Sequence, residues 1–461
     1  MTRPIRIANC SGFFGDRLSA AQEMVEGGPI DVLSGDWLAE LTMLILARQR
    51  MKHGPGAGYA RTFITQMEQT LGRCLDRGIK VISNAGGLDP QGCADALIDV
   101  AAELGLSPRI AVVTGDDLMD ALTSLHAAGE EFRNVDTDES LVDVDAHLLT
   151  ANAYLGGAPI TAALDAGADV VITGRVTDAA LTVGPAAWWH GWNYDTDFHE
   201  IAGAIVAGHA IECGAQVTGG NYSFFTDIPD LSHPGFPIAE VAADGSSVIT
   251  KHESTPGLVS VGTVTAQLLY EIGGPAYANP DAIAHFDTIE LRQLAPDRVQ
   301  ISTVQGSPPP PTLKVSATYV GGLRNSMTIV MTGTDREAKA NLILKTVAGI
   351  NLTHINEPDL AALSTLDVAE LAVYWDDTAI DDPLTTAAAQ SHLRIVVRDN
   401  NPAKIAKAFT APIVQAALSS FPGMFPTAPP AEPAPYGVYW PTSVGREHVH
   451  PQVTIDGQVI G

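Results

Sequence analysis

Four side chains with catalytic chemistry lie on one face of a segment that is otherwise Ala, Gly, Ile and Val. They are His209, Glu212, Cys213 and Gln216, spaced i, i+3, i+4 and i+7. This spacing places all four on the same side of a helix. Because burying such polar groups without partners is costly, the pattern predicts that this face meets a ligand or another domain.

Four interpretations of this face stay open. His209 and Glu212 could exchange a proton, since histidine titrates near neutral pH and a neighbouring carboxylate tunes it. The same face could bind a metal with Asp36 or Asp116, or Cys213 could act as a nucleophile. Polar faces are also common where two domains meet. Acid/base catalysis, with Asp36 near the pair, and a structural interface are favoured equally.

A second group of candidate residues follows short apolar runs, where the carboxyl ends of parallel strands would deliver them to one cleft. Backbone donors and side chains at such turns suit a phosphate, a carboxylate or an oxyanion. The predicted substrate-binding residues are Asn9, Ser11, Gly12, Arg17, Asn84, Gly86, Gly87, Asp116, Asn152, Arg175, Asp178, Gln216 and Lys251.

Several of these residues have an equally simple structural interpretation. Arg17 could pair with Asp16 and close its turn, and Arg175 could do the same with Asp178. Lys251 lies in a Gly/Pro-rich connector, where an exposed basic pair with His252 is favoured over a loop that closes the cleft. No Walker loop and no GxGxxG motif follows the first apolar run. The sequence therefore names no cofactor and no metal ligand set.

The elements that would position these residues repeat a strand, a polar cluster and a helix. Helical spacing of apolar residues covers 37–51, 62–77, 91–104 and 160–166, and Asp89 before Pro90 predicts a helix start. Continuous apolar strands of this kind are typical of a parallel sheet covered on both faces. The predicted strands are 5–8, 30–33, 79–82, 110–113, 148–150 and 170–172. We predict an α/β fold with a parallel, Rossmann-like N-terminal sheet; a (β/α)8-like barrel is the alternative.

The pattern changes in the second half of the chain. A long helix is predicted over 198–216, and strands over 299–304, 313–320, 327–331, 368–375 and 392–397 alternate with helices over 335–350 and 402–420. This order predicts an α+β second domain. The expected domains are 1–280 and 281–461, and the Pro-rich segment 421–441 is expected to run extended along a surface.

Composition excludes several classes of protein. The chain has 461 residues, a hydrophobic fraction of 46% and a formal charge of -27, which favour a folded globular protein that repels nucleic acid and anionic membranes. Four cysteines without paired spacing predict a reducing, cytoplasmic location. We see no signal peptide and no apolar run near the ~20 residues of a membrane span. Self-association into a homo-oligomer is also expected.

Six motifs, in order along nearly the whole chain, resemble the acyclic terpene utilisation family AtuA. They are NCSGFFGDR from Asn9, GDWLAELTMLIL from Gly35, SNAGGLDP from Ser83, ITGRVTDA from Ile172, GHAIECGAQVTGG from Gly208 and TAQLLYEI from Thr265. The resemblance implies bacterial breakdown of citronellol- and geraniol-like terpenes through branched acyl-CoA thioesters. It also implies a small ferredoxin-like partner, since some relatives carry such a module.

The residues and the resemblance together predict a lyase or hydratase. A branched acyl-CoA or carboxylated substrate would add or lose water, with the oxyanion held by the Asn84 to Gly87 turn and the proton moved by His209 or Glu212. Coenzyme A would then be part of the substrate. The alternatives are a non-catalytic ligand-binding subunit that needs the small partner, and a thiol-dependent acyl transferase or hydrolase that uses Cys213.

Overall fold

The computed structural model describes residues 3–141, 144, 147–377, 384–385 and 387–460. The chain divides into two compact units. The first combines Met1–Thr318 with Tyr439–Gly461, and the second is Tyr319–Val438. The predicted domain boundary at 280/281 therefore falls inside the first unit.

The described strands are numbered in chain order. They are β1 (Ile5–Asn9), β2 (Val32–Gly35), β3 (Lys80–Ser83), β4 (Ile110–Thr114), β5 (Leu148–Ala153), β6 (Val170–Thr173), β7 (Pro237–Val241), β8 (Ser247–Lys251), β9 (Ala276–Ala278), β10 (Ile283–His285), β11 (Glu290–Ala295), β12 (Arg298–Ser302), β13 (Gln305–Ser307), β14 (Thr312–Thr332), β15 (Glu370–Asp376), β16 (Gln390–Asp399), β17 (Met424–Pro426), β18 (Ala434–Gly445), β19 (Gln452–Ile455) and β20 (Gln458–Val459).

The described α-helices are numbered in the same way. They are α1 (Ala20–Glu26), α2 (Glu40–His53), α3 (Arg61–Arg77), α4 (Pro90–Glu103), α5 (Leu122–Ala127), α6 (Ala158–Asp165), α7 (Ala180–His190), α8 (Phe198–Ile211), α9 (Val261–Leu269), α10 (Arg336–Ala348), α11 (Leu360–Leu363), α12 (Pro402–Ile405) and α13 (Lys407–Ser419).

A mixed, 11-stranded sheet is the centre of the first unit, in the order β11-β12-β8-β7-β1-β2-β3-β6-β4-β19-β20. Strands β1, β2, β3, β6 and β4 are mutually parallel, and the strands outside them pair antiparallel. The apolar runs of the parallel strands are buried on both faces, because helices cover both sides of the sheet. On one face, α1, α3 and α4 share a core with Ala8 and Leu33. On the other, α7 contacts β1 and β2, where Ile7 and Val32 are fully buried.

The predicted α/β class is confirmed at this level. Dinucleotide-binding sheets are mostly parallel and have the strand order 3-2-1-4-5-6. This sheet has a different order and is flanked by antiparallel strands, so a Rossmann-like arrangement is not confirmed. In the described part of the chain the sheet ends at β11 and β20, which leaves it open and not closed as a barrel. One predicted strand lies elsewhere: β5 pairs with β14, because an apolar run alone does not specify its partner.

Helix boundaries follow local backbone chemistry. Asp89 caps α4 as predicted, accepting a hydrogen bond from the Gly92 N–H, and Pro90 is the first helical residue. The predicted helix 198–216 is too long, since α8 ends at Ile211. Gly214 then adopts a left-handed φ of 56°, which a continuing helix cannot accommodate.

The second unit combines an antiparallel sheet, β15-β16-β14-β17, with helices α10 and α13. Two predicted strands, 313–320 and 327–331, are parts of the single long strand β14. The predicted helix 402–420 is divided into α12 and α13 at Ala406, whose backbone leaves the helical region. Among the described residues, no helix is both long and apolar enough to span a bilayer.

Candidate functional site

A cavity of about 1060 Å3 lies in the first unit, where the carboxyl ends of β1, β2 and β6 meet the end of α8. Its wall combines carboxylates, two basic side chains, tyrosines and apolar residues. The lining includes Gly12, Phe13, Asp16, Asp36, Leu38, Glu40, Val135, Tyr154, Arg175, Asp178, His209, Glu212, Cys213, Gln216, Tyr270, Glu271, Tyr277, Asn279, Leu313, Lys314, Tyr439 and Ser443. The complete predicted row at the end of α8 is therefore part of this wall.

His209 and Glu212 form a buried pair in the cavity wall. His209 Nδ1 lies 2.8 Å from Glu212 Oε1, and the two side chains are 2% and 6% exposed. The contact is close but not aligned as an N–H···O hydrogen bond, and both nitrogens of His209 and Oε2 of Glu212 lack a hydrogen-bond partner. Buried polar atoms are normally paired, so these unpaired atoms are candidates for contact with a ligand.

The surroundings of the pair are apolar, which alters how both groups titrate. The His209 ring packs against Tyr277 and Phe286, with ring centroids 5.6 and 5.8 Å away. Burial raises the pKa of Glu212 to about 7, although His209 opposes this shift. Burial alone would lower the pKa of His209, but the Glu212 carboxylate outweighs it and raises that pKa. The pair is therefore suited to hold or release one proton near neutral pH.

Asp36 is fixed beside this pair by Asn84. The Asn84 amide donates to Asp36 Oδ1 at 2.6 Å, while its oxygen accepts from the Trp37 N–H at 2.8 Å. Burial and the nearby Asp178 carboxylate raise the pKa of Asp36 well above its usual range, although Arg175 opposes this. Asp36 thus holds a proton more tightly than an ordinary carboxyl, and the nitrogen and the oxygen of the Asn84 side chain each have a hydrogen-bond partner.

Arg175 is a fully buried cation of the cavity wall. Its Nη1 donates to Asp178 Oδ1 at 2.8 Å and to the carbonyl of Leu38 at 3.2 Å, and its guanidinium lies 4.1 Å from the centre of the Tyr154 ring. Nε of Arg175 has no hydrogen-bond partner. Arg175 thus pairs with Asp178, as the structural interpretation predicts, and it also lines the cavity, as a ligand-binding role requires.

Asp116 and Asn152 support Arg175 from behind. Asp116 Oδ2 accepts from the Arg175 N–H and from the Asn152 amide, both at 2.8 Å. Burial raises the pKa of Asp116 to about 6, against the opposing effect of these hydrogen bonds. Neither residue is among the described residues that line the cavity. Their position suits them to orient the turn that carries Arg175.

Glu40 is the centre of a second polar contact. Tyr154 donates to Glu40 Oε1 at 2.7 Å and Lys314 Nζ donates to the same oxygen at 3.1 Å. Burial would raise the pKa of Glu40, but these contacts and Arg175 outweigh it and lower that pKa to about 2. Glu40 is therefore ionised, and Lys314 is paired with it.

Cys213 and Gln216 also line the cavity, beyond the end of α8. Burial raises the pKa of the Cys213 thiol, and the nearby Glu212 carboxylate adds to this shift. A thiol in these surroundings stays protonated at neutral pH, which is the opposite of what nucleophilic cysteine chemistry requires.

The turn after β1 satisfies its own donors. The Gly12 N–H donates to Asp16 Oδ2 at 2.8 Å, which places a carboxylate where an anionic ligand was expected. The Arg17 guanidinium contacts Glu23 and the carbonyl of Pro234, and only the backbone N–H of Arg17 donates to Asp16. Asn9 donates to the carbonyl of Glu212 at 3.2 Å and thereby ties this turn to the end of α8.

Other predicted binding residues lie outside the described cavity wall. Ser11 donates to the carbonyl of Phe13. A Cβ on Gly86 would lie 2.5 Å from the carbonyl oxygen of Thr173, so this position requires close packing. Gly87, next to it, does not line the cavity either, and has a left-handed φ of 53°.

Lys251 is buried at the end of β8, away from the cavity wall. Its Nζ donates to the carbonyl of Thr255 at 2.6 Å and lies 3.0 Å from Asp297 Oδ2. His252 is buried as well, with Nε2 2.9 Å from the carbonyl oxygen of Met24. The expectation of an exposed basic pair is wrong, because β8 continues to Lys251 and carries both side chains into the interior.

Sequence reasoning missed residues that reach the cavity from distant segments, above all Tyr154, Tyr277, Asn279, Lys314 and Tyr439. Only Asn279 had a local signal, since it precedes Pro280 and Asp281 in a turn-forming sequence. Within the described ranges, no group of three or more His, Cys, Asp or Glu side chains is arranged to hold a metal ion.

Comparison with known proteins gives one match. A family model described as "Acyclic terpene utilisation family protein AtuA" matches residues 5–455. No curated protein and no solved structure matches the chain. Because the family match covers nearly the whole chain, this protein belongs to the acyclic terpene utilisation family AtuA.

Proposed function

We propose that this protein is a lyase or hydratase of acyclic terpene or branched-acid breakdown that works by acid/base chemistry on a branched acyl-CoA or carboxylated substrate. Family membership ties the chain to acyclic terpene utilisation. The observation that carries the finer proposal is the buried His209–Glu212 pair, 2.8 Å apart, with unpaired atoms in the wall of a large cavity.

The pair supplies the proton transfer. In elimination, the basic member removes the proton next to the substrate carbonyl, and an acid protonates the hydroxyl that leaves as water. The Asp36 carboxyl, whose pKa is raised by burial, lines the same cavity and is the candidate for this acid. Hydration is the reverse: water supplies the hydroxyl, and the carbon next to the carbonyl regains the proton.

The oxyanion that develops at the carbonyl needs donors. The Asn84 amide is engaged by Asp36 and Trp37, so the role first expected of its turn fits Arg175 better. Arg175 lines the cavity and has an unpaired Nε. A guanidinium in a buried site stabilises developing negative charge strongly.

The apolar part of the wall suits a branched hydrocarbon chain. Phe13, Leu38, Val135, Leu313 and Tyr439 contribute to it. The phosphates of coenzyme A have no comparable partners there, because Lys314 and Arg175 are already paired with carboxylates. We therefore place the acyl chain inside the cavity and the nucleotide part of coenzyme A outside it.

Burial raises the pKa of the Cys213 thiol, which disfavours the thiol-dependent alternative. A binding subunit that needs a small ferredoxin-like partner is the alternative function. The unpaired atoms of the wall favour a bound ligand in either case. Turnover that appears only when the partner is added would favour the binding subunit.

The test is turnover of branched acyl-CoA esters, with and without divalent metal, by the wild-type protein and the His209→Gln and Glu212→Gln variants. Loss of a general acid or base slows a reaction by about 10²- to 10⁴-fold, and we expect each variant to lose at least 100-fold. Glu68→Gln is the control, because Glu68 is an exposed carboxylate of α3 that does not line the cavity. Wild-type turnover in a folded His209→Gln or Glu212→Gln protein would remove that residue from the mechanism.

A further inference from the structure

Asn279 is a buried amide without hydrogen-bond partners in the cavity wall. The residue is 2% exposed and lines the cavity. Neither its Nδ2 nor its Oδ1 has a hydrogen-bond partner of acceptable geometry, although the Tyr277 hydroxyl is near enough to interact with it. Leaving a buried donor and a buried acceptor unpaired is costly. A side chain held in this way is therefore a candidate for contact with a ligand.

The backbone fixes Asn279 close to the catalytic pair. Asn279 directly follows β9, and its N–H donates to the carbonyl of Ala282 at 3.0 Å, which closes a tight turn. Within β9, Tyr277 packs its ring 5.6 Å from the His209 ring. The segment that carries Asn279 is thus anchored on the residue that is proposed to move the proton.

The charge of the cavity restricts what can occupy it. Among the described residues, its carboxyl-bearing side chains are Asp16, Asp36, Glu40, Asp178, Glu212 and Glu271. The two permanent cations of the wall, Arg175 and Lys314, already pair with Asp178 and Glu40. An additional carboxylate would meet net negative charge, whereas an uncharged group would not be repelled.

The amide itself also selects against a carboxylate. An ionised carboxylate only accepts hydrogen bonds, so it could satisfy Nδ2 of Asn279 but would leave Oδ1 unpaired. A hydroxyl group both donates and accepts and can serve either atom. From this complementarity we infer that Asn279 is a specificity-determining residue that binds an uncharged hydroxyl group on a branched apolar chain. The inference deepens the proposed function and rests on it.

Binding measurements test this without turnover. Citronellol and citronellic acid share one branched chain and end in a hydroxyl and a carboxyl, which is ionised at about pH 8. By calorimetry at that pH, wild-type protein is expected to bind the alcohol at least about tenfold more tightly than the acid. Asn279→Asp, which keeps the shape but loses the donor, and Asn279→Leu should each weaken alcohol binding roughly tenfold.

Ser443→Ala is the matched control, because Ser443 lines the cavity and is exposed. It should bind the alcohol like wild type. The inference is overturned if wild type binds the acid as well as the alcohol or binds no alcohol, or if Asn279→Asp retains wild-type affinity. If the Asn279→Leu variant does not fold, the affinity of the Asn279→Asp variant for the alcohol decides the test.

His209→Gln separates this inference from the proposed function. That variant is expected to lose turnover and to keep its affinity for the alcohol. Normal turnover in His209→Gln would contradict the proposed mechanism alone, whereas unchanged binding in Asn279→Asp would contradict the role of Asn279 alone.

Discussion

His209, Glu212 and Asn279 are buried side chains with fewer partners than their chemistry allows. In each case the unpaired atoms belong to a residue that lines one cavity. Arg175 adds an unpaired Nε to the same wall. Asn84, in contrast, is buried and fully engaged, and serves to hold Asp36. At the scale of the residue, the combination of an unpaired buried atom and a place in the cavity wall marks these side chains as candidates for contact with a ligand.

The buried pair makes stability depend on pH. Burial raises the pKa of Glu212 from about 4.5 to about 7, so the folded protein retains a proton that the unfolded chain releases between these values. The stability contributed by this proton is complete below about pH 4.5 and is lost as the pH rises through 7. The raised pKa of His209 acts in the same direction.

We therefore expect the wild-type protein to lose stability relative to Glu212→Gln between pH 5 and pH 8, by on the order of 2 kcal/mol. Urea unfolding of both proteins at the two pH values measures this difference. Glu68→Gln, at an exposed position of α3 outside the cavity wall, is the control and should show no such change. A difference that is constant with pH would mean that Glu212 titrates alike in the folded and unfolded states.

At the scale of the element, the end of α8 organises the site. The helix carries His209, and close packing on both sides leaves it little space. A Cβ on Gly208 would lie 2.8 Å from Ala179 Cα, and one on Gly12 would lie 2.5 Å from the carbonyl carbon of Cys213. Small residues at these positions let the turns after β6 and β1 approach the helix.

Two glycine-to-alanine changes should therefore have opposite effects on stability. Gly208→Ala is expected to destabilise the protein by about 1–3 kcal/mol, because the added methyl group meets backbone atoms of Ala179. Gly72→Ala in α3 places its methyl group 3.7 Å from Leu106 Cδ1, an ordinary contact. It should stabilise by roughly 0.5–1 kcal/mol, because alanine is the better helix former. Urea unfolding compares the two, and equal signs would contradict the packing argument.

Local sequence patterns predicted which segments form strands better than they predicted which strands pair with each other. The apolar runs of β1, β2, β3, β4 and β6 were found as strands of one sheet, because continuous burial leaves a strong signal. The run at Leu148 is also a strand, but pairing with β14 depends on a segment more than a hundred positions away.

The candidate site also combines residues that a local pattern reveals with residues that only tertiary packing brings in. The row His209, Glu212, Cys213 and Gln216 was visible because one helical periodicity relates its members. Tyr277 and Lys314 reach the cavity through tertiary packing, which no local pattern records.

At the scale of the whole molecule, charge is the dominant feature. A formal charge of -27 is distributed over 461 residues, and many carboxylates have no basic counterpart, since Asp and Glu number 53 against 26 Lys and Arg. Mutual repulsion of like charges disfavours a compact state, and dissolved ions screen it over about 10 Å at 0.1 M salt.

We accordingly expect the melting temperature at pH 8 to rise by a few degrees, about 2–4 °C for a gain near 1 kcal/mol, between 20 and 200 mM NaCl. Differential scanning calorimetry provides the measurement. Near the isoelectric point, about pH 4.6, the same salt step should change the melting temperature little. A shift of equal size at both pH values would indicate an effect other than charge screening.

The first unit is assembled from two separate stretches of sequence, and this has a consequence for synthesis on the ribosome. Strand β19 forms the outer neighbour of β4, and the Trp440 indole donates to the carbonyl of Phe132, 308 positions earlier. Until residues 452–455 of β19 have been translated, β4 presents an open edge that can pair with another nascent chain. Tyr439 is also added more than a hundred residues after Lys314, so a growing polypeptide has an incomplete chamber wall until the codon for Tyr439 has been read.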